Sequence, residues 1–130
     1  MSNVDPEVTE RLANALMAAI PATDVDALRQ IYAPDVVIWH NFDQVEQRLD
    51  DNLKVMRWMG KVMPDMSYDD VRRQSTPTGY VQQHILRGTA PDGTALAMPA
   101  CLVVTIEDER ITRLDEYLDP AAAAPLTRRA

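Results

Sequence analysis

The hydrophobic period of the chain changes at Pro64, and that change leaves few folds open to it. Before Pro64 the apolar residues recur at helical spacing, and after it they alternate with period two. Val8, Leu12, Leu16, Ala19 and Ile20 share one helical face. Asp5-Pro6-Glu7 opens that helix: Asp caps it, Pro suits the first helical position, and Glu favours the positive end. Pro21 ends the run. Thr23-x-x-Asp26 resembles a capping box and predicts a second, shorter helix with Leu28 and Ile31-Tyr32 on its apolar side, stopped by Pro34. Asp35 to Asn41 then reads as a strand, with β-branched Val36, Val37 and Ile38 before Trp39, His40 and Asn41. Asp43-x-x-Glu46 predicts another capped helix start. Val45, Leu49, Leu53, Met56 and Met63 form its stripe, broadened by Val55, Trp58, Met59 and Val62, so this third helix should be largely covered.

Three turn signals, Thr76-Pro77-Thr78-Gly79, Ala90-Pro91-Asp92-Gly93 and Glu107-Asp108-Glu109, divide the remainder into strands near 67–75, 80–88, 94–106 and 110–118. Short connections make them consecutive antiparallel neighbours. Helices first and a meander last is an α+β order. The expected architecture is a curved, mostly antiparallel sheet with three N-terminal helices over its concave face. Residues 1–130 are expected to form a single domain, with 120–130 as a tail or short cap.

The strand 94–106 is apolar on both faces. Its even positions are Leu96, Met98, Ala100, Leu102, Val104 and Ile106; its odd positions include Ala97, Pro99, Cys101 and Val103. Helices can cover only one face of a sheet. The expectation is a homodimer that buries the outer sheet face around Leu96, Met98, Leu102 and Val104, while the small odd face leaves room for a cavity.

Charge narrows the partners. Thirteen basic against twenty acidic residues give a net charge of -7, which argues against nucleic acid, and the basic pair Arg128-Arg129 is too small to change that. Cys101 is the only cysteine, so an internal disulfide and a cysteine zinc site are excluded. No apolar run reaches membrane length, and no basic-then-apolar leader opens the chain, so no membrane partner and a cytoplasmic location are expected. Glycine-rich phosphate loops and nucleophile elbows are absent.

Several segments carry a family resemblance: Ile31-Tyr32-Ala33-Pro34-Asp35 leading into the first strand, Gly88-Thr89 with Asp92-Gly93 in a hairpin, and Arg110-Ile111 leading to Glu116-Tyr117-Leu118-Asp119. The layout resembles the cone-shaped, cystatin-like α+β fold of nuclear transport factor 2, in its SnoaL-like branch. That branch includes steroid Δ-isomerases, polyketide cyclases, scytalone dehydratase and limonene epoxide hydrolase. The resemblance implies a cofactor-free enzyme acting on a small hydrophobic molecule by isomerisation, cyclisation or dehydration. Epoxide hydrolysis and a non-catalytic, dimeric ligand-binding module are the alternatives. The catalytic aspartate of the steroid isomerases falls on His40, their oxyanion tyrosine on Leu16 and their protonated aspartate on Cys101, so none of the three is retained. Limonene epoxide hydrolase resembles the Trp39-x-Asn41 pattern. Scytalone dehydratase is similar in relying on two histidines.

The candidate catalytic residues are His40, Glu116 and His84. An imidazole titrates near neutrality and relays protons. The isomerase register points Ile38 and His40 inward; the epoxide-hydrolase register reverses this and turns Trp39 and Asn41 to the cavity. Glu116 stands between Leu114 and Leu118 on one face of the last strand, where a carboxylate needs a partner, and the topology offers His40. A buried structural pair is the competing reading. His84 and Gln82 follow from the resemblance, which places both in the pocket; a polar edge is the alternative for His84. Asn41, Trp39, Cys101, Leu16, Met56, Trp58, Leu114 and Leu118 are candidate substrate-binding residues. No metal is expected, because the histidines and Glu116 lie on separate strands without motif spacing.

Overall fold

Asp5 caps the first helix as the sequence predicts, its carboxylate accepting from the Glu7 N–H at 2.9 Å. The structure is a computed structural model that describes residues 3–127, so Arg128-Arg129 lies outside the described residues. Helix α1 (Pro6–Ala22) carries Pro21 in its last turn and ends on Thr23 at φ 51. The chain reverses at Thr23, so the next cap falls to Asp24, which accepts from the Ala27 N–H at 3.1 Å. The capping box expected at Thr23-x-x-Asp26 is therefore corrected by one residue, and α2 spans Val25–Ile31.

Strand β1 (Tyr32–His40) follows directly. The helix start expected at Asp43-x-x-Glu46 is instead a tight turn. Asp43 accepts from the Val45 N–H at 3.0 Å, Gln44 takes φ 55, and Glu46–Gln47 pairs with β1 as the short strand β2. Helix α3 therefore runs only over Leu49–Val62, and Val45 is 52 % exposed. This helix buries Leu49, Asn52 and Leu53, whereas Trp58 is 41 % exposed. The expectation of a largely covered helix is corrected too, because part of its apolar face lines an open cavity.

Strands β3 (Ser67–Thr76), β4 (Gly79–Thr89), β5 (Ala95–Glu107) and β6 (Arg110–Leu118) form the meander. The β3–β4 hairpin requires Gly79, because a Cβ there would run into the Val104 carbonyl. Helix α4 (Pro120–Ala123) and a 3₁₀ turn over Ala124–Thr127 close the described chain. The sheet has the order β2-β1-β6-β5-β4-β3, and the pairing is antiparallel except between β1 and β6, which run parallel. The fold is α+β, as the sequence predicts.

The register decides which side chains meet. His40 pairs with Glu116, Glu116 with Leu102, Leu102 with Gln82, and Gln82 with Arg73. Directly paired residues share a face of the sheet, so this rung runs across the face that the helices cover. Leu96, Met98, Leu102 and Val104 share that inner face and are 5 % exposed or less in the monomer. The expectation that they form the outer, dimer-facing surface is corrected. The outer face carries Ala97, Pro99, Cys101 and Val103 of β5 instead, beside Tyr117.

Candidate functional site

The parallel pairing of β1 and β6 brings His40, the last residue of β1, against Glu116 near the end of β6. His40 Nε2 stands 3.0 Å from Glu116 Oε1, and the two side chains are 13 % and 21 % exposed. The pair lies between two cavities. A mouth cavity of about 390 Å³ is walled by Phe42, Val55, Trp58, Met59, Met98 and Leu126, among others. An inner cavity of about 40 Å³ lies deeper, among Leu16, Tyr32, Asn52 and Leu114. His40, Glu116 and Tyr68 line both.

Burial pulls the His40 imidazolium down, but the Glu116 hydrogen bond and charge outweigh it, with help from Asp43 in the next turn. The net shift is upward from the ordinary value of 6.5. The Nδ1 atom of the ring is buried and has no hydrogen-bond partner among the described residues.

His84 has a different setting. Arg73 Nε donates to Gln82 Oε1 at 2.9 Å, and Arg73 is itself held by Glu10 and Asn14 of α1. With its oxygen engaged, Gln82 turns its amide nitrogen to His84 Nδ1 at 2.8 Å and to Met17 Sδ at 3.1 Å. Nδ1 of His84 therefore accepts, and the neutral ring carries its proton on Nε2. Burial lowers the pKa of His84, and the charge of Glu116 offsets only part of that. The Tyr68 and His84 rings pack edge to face, with centroids 4.7 Å apart and planes at 74°. Burial, then the charge of Glu116, keeps the Tyr68 hydroxyl protonated far beyond neutral pH.

The other sequence candidates divide by location. Trp58 and Leu118 line the mouth cavity, and Leu16 and Leu114 the inner one. Met56 packs half-buried against the core and lines neither. Gln82 and His84 line neither, and reach the site through Tyr68. Asn41 uses its Oδ1 to accept the Leu118 N–H at 3.0 Å, so it ties β1 to β6. Trp39 stacks edge-on with Tyr117 at 5.3 Å on the outer face. Cys101 borders an outer groove of about 650 Å³ with Gln83, Pro99 and Tyr117, because its register partners are Gln83 and Tyr117. The placement of Trp39, Asn41 and Cys101 in the cavity is thus corrected.

Sequence reasoning misses Tyr68, Asn52, Asp43 and Phe42. The signal for Tyr68 is its pairing with Leu86, two residues from His84, which depends on the β3 register. Among the described residues no three His, Cys, Asp or Glu side chains group as metal ligands, and no helix is long and apolar enough to cross a membrane.

The family model of the SnoaL-like domain matches residues 13–114. No curated protein matches the chain. Among solved structures, the chain is similar to IdmH, a candidate polyketide cyclase from Streptomyces antibioticus, at 21 % identity and a TM-score of 0.79, covering 92 % of this chain and 99 % of IdmH. A candidate polyketide cyclase from Xanthomonas campestris superposes at a TM-score of 0.81 with 16 % identity, covering 93 % of this chain and 98 % of the other. A SnoaL-like candidate cyclase from Jannaschia superposes at 0.79 with 16 % identity, covering 98 % and 99 %. At these identities the likeness is one of fold.

Proposed function

The chain belongs to the SnoaL-like domain family, and on that premise we propose that it is a cofactor-free enzyme of cyclase, isomerase or dehydratase type. The observation that carries this reading is the His40–Glu116 pair, 3.0 Å apart and open to an apolar cavity. The pair removes a proton from carbon beside a carbonyl and returns a proton to the enolate or its product, so the proton balance closes without a redox partner. With the Nε2–H of the neutral His40 ring turned to Glu116, the carboxylate takes the substrate proton and the imidazole holds it in place and stabilises its charge. The Tyr68 hydroxyl, backed by the neutral His84, donates to the developing oxyanion. In this reading Tyr68 takes the polarising role, and Gln82 holds His84 in its tautomer.

The cavity walls support a substrate class. Phe42, Trp58, Met59, Met98 and Leu126 suit a flat or cyclic hydrophobic molecule. Glu116 and Asp43 line the mouth, and no lysine or arginine does among the described residues, which favours an uncharged ketone or ester over a free acid. Epoxide hydrolysis with Asn41 holding water loses support, because that side chain is engaged by the Leu118 N–H.

Exchange of solvent deuterium into uncharged cyclic ketones tests the reading before any natural substrate is known. The wild type is expected to exchange the proton beside the carbonyl, and His40→Ala to slow this by about 10²–10⁴-fold with the fold intact. Bound ketones that never exchange would favour the non-catalytic module. We also infer a homodimer through the outer sheet face, where Val103 and Tyr117 are 40 % and 45 % exposed. Sedimentation should show a dimer that Val103→Asp dissociates; a micromolar wild-type monomer contradicts it.

A further inference from the structure

Two residues that line the inner cavity each carry a buried polar atom without a partner among the described residues. Asn52, in the first turns of α3, is 3 % exposed. Its Nδ2 donates to Gln47 Oε1 at 3.2 Å, but its Oδ1 has no partner among the described residues. His40 Nδ1 is the other orphan, and both residues line the same cavity of about 40 Å³. Such a space admits one water, which needs roughly 10–15 Å³ and two or more polar partners.

We propose that Asn52 is a positioning residue of the His40–Glu116 pair, linked to His40 Nδ1 through a single water held in the inner cavity. The inference rests on the pair being the proton-moving unit. When His40 is neutral, its Nε2–H faces Glu116 and Nδ1 is an acceptor, so the water donates to Nδ1 and to Asn52 Oδ1. When His40 is protonated, Nδ1 becomes a donor; the water accepts from it and still donates to Asn52 Oδ1. Asn52 thus supplies a second acceptor path to the imidazolium, opposite the one from Glu116, and keeps the ring from turning as the proton comes and goes.

The groups facing His40 from its surroundings are few. Glu116 on β6 and Asp43 in the turn after β1 favour the imidazolium. The hydroxyls of Tyr32 and Tyr68, which share the inner cavity, stay neutral because burial raises both. His84 on β4 is held neutral by burial. Helix α3 brings no titratable side chain to the inner cavity, and Asp50 and Asp51 of its first turn are exposed. Asn52 is therefore the contact from α3 whose removal reports on the link.

The test follows the His40 ring nitrogens of the full chain by ¹⁵N NMR across the pH range. Asn52→Leu should lower the His40 midpoint by about one pH unit, and Asn52→Asp should raise it by a similar amount. The pH profile of deuterium exchange should move with the midpoint. A midpoint that stays put in both variants overturns the proposal. Should Asn52→Leu fail to fold, the wild type decides alone: at acid pH its Nδ1–H should be protected from solvent exchange, and a freely exchanging Nδ1–H is the contrary result. None of these ring signals needs turnover. A shifted midpoint in a protein without exchange activity refutes the function and keeps the link to Asn52, whereas an active protein with an unmoved midpoint does the reverse.

Discussion

His40 and His84 stand on the inner face of one sheet, and they are driven in opposite directions. Burial acts on both in the same sense, against the charged ring. His40 meets a carboxylate at 3.0 Å and ends with its pKa raised. His84 meets an amide nitrogen at 2.8 Å, which can only donate, and ends with its pKa lowered. The partner, not the depth, decides which histidine carries charge. The two regions also differ in what holds them. The first is assembled by one parallel strand pair; the second is a chain running from Glu10 through Arg73 and Gln82 to His84. The first region favours a charged ring at the cavity wall, and the second keeps a neutral ring behind Tyr68, outside both cavities.

The contrast breaks most completely at Glu116. Glu116→Gln keeps the shape but removes the charge that outweighs burial. His40 should then titrate below 6.5, as His84 does. The exchange rate should fall about 10²-fold with ligand affinity little changed, which separates kcat from KM. A Glu116→Gln variant of wild-type rate would assign the chemistry to other groups.

Gln82→Leu attacks the other region. It leaves Arg73 Nε and His84 Nδ1 without the bonds they make now. Stability should drop by about 2 kcal/mol, read by urea unfolding, because buried polar groups lose their partners. His84 should lose its single tautomer while the His40 midpoint moves little. A larger effect on His40 than on His84 would mean that the two regions are one network. Val103→Asp on the outer face sets the lower bound, since it should leave both midpoints unchanged.

Much of this arrangement is legible in the sequence, and the illegible parts have physical causes. Strand β6 falls at Arg110–Leu118, where alternation and turn residues place it. The meeting of His40 and Glu116 follows from Glu116 standing between two leucines, since an inward carboxylate needs a partner. The orientation of β5 does not follow, because both its faces are apolar and alternation has no sign there. Only its register with Gln82 and Glu116 shows that Leu102 points inward and Cys101 outward. Asn41 misleads because a side chain that satisfies a backbone N–H looks, in sequence, like one offered to a ligand. Tyr68 is hidden by the irregularity between Asp69 and Arg72, where Asp70 at φ 53 interrupts the alternation of β3. Asn52 sits among apolar neighbours on a helix whose start is masked by the turn at Asp43.

The most direct measurement is a single titration of the wild type that resolves both histidine rings. His40 should titrate above 6.5 and His84 below it, with His84 showing a protonated Nε2 and an unprotonated Nδ1 at neutral pH. Two midpoints together at the ordinary value, or the reverse order, would contradict this.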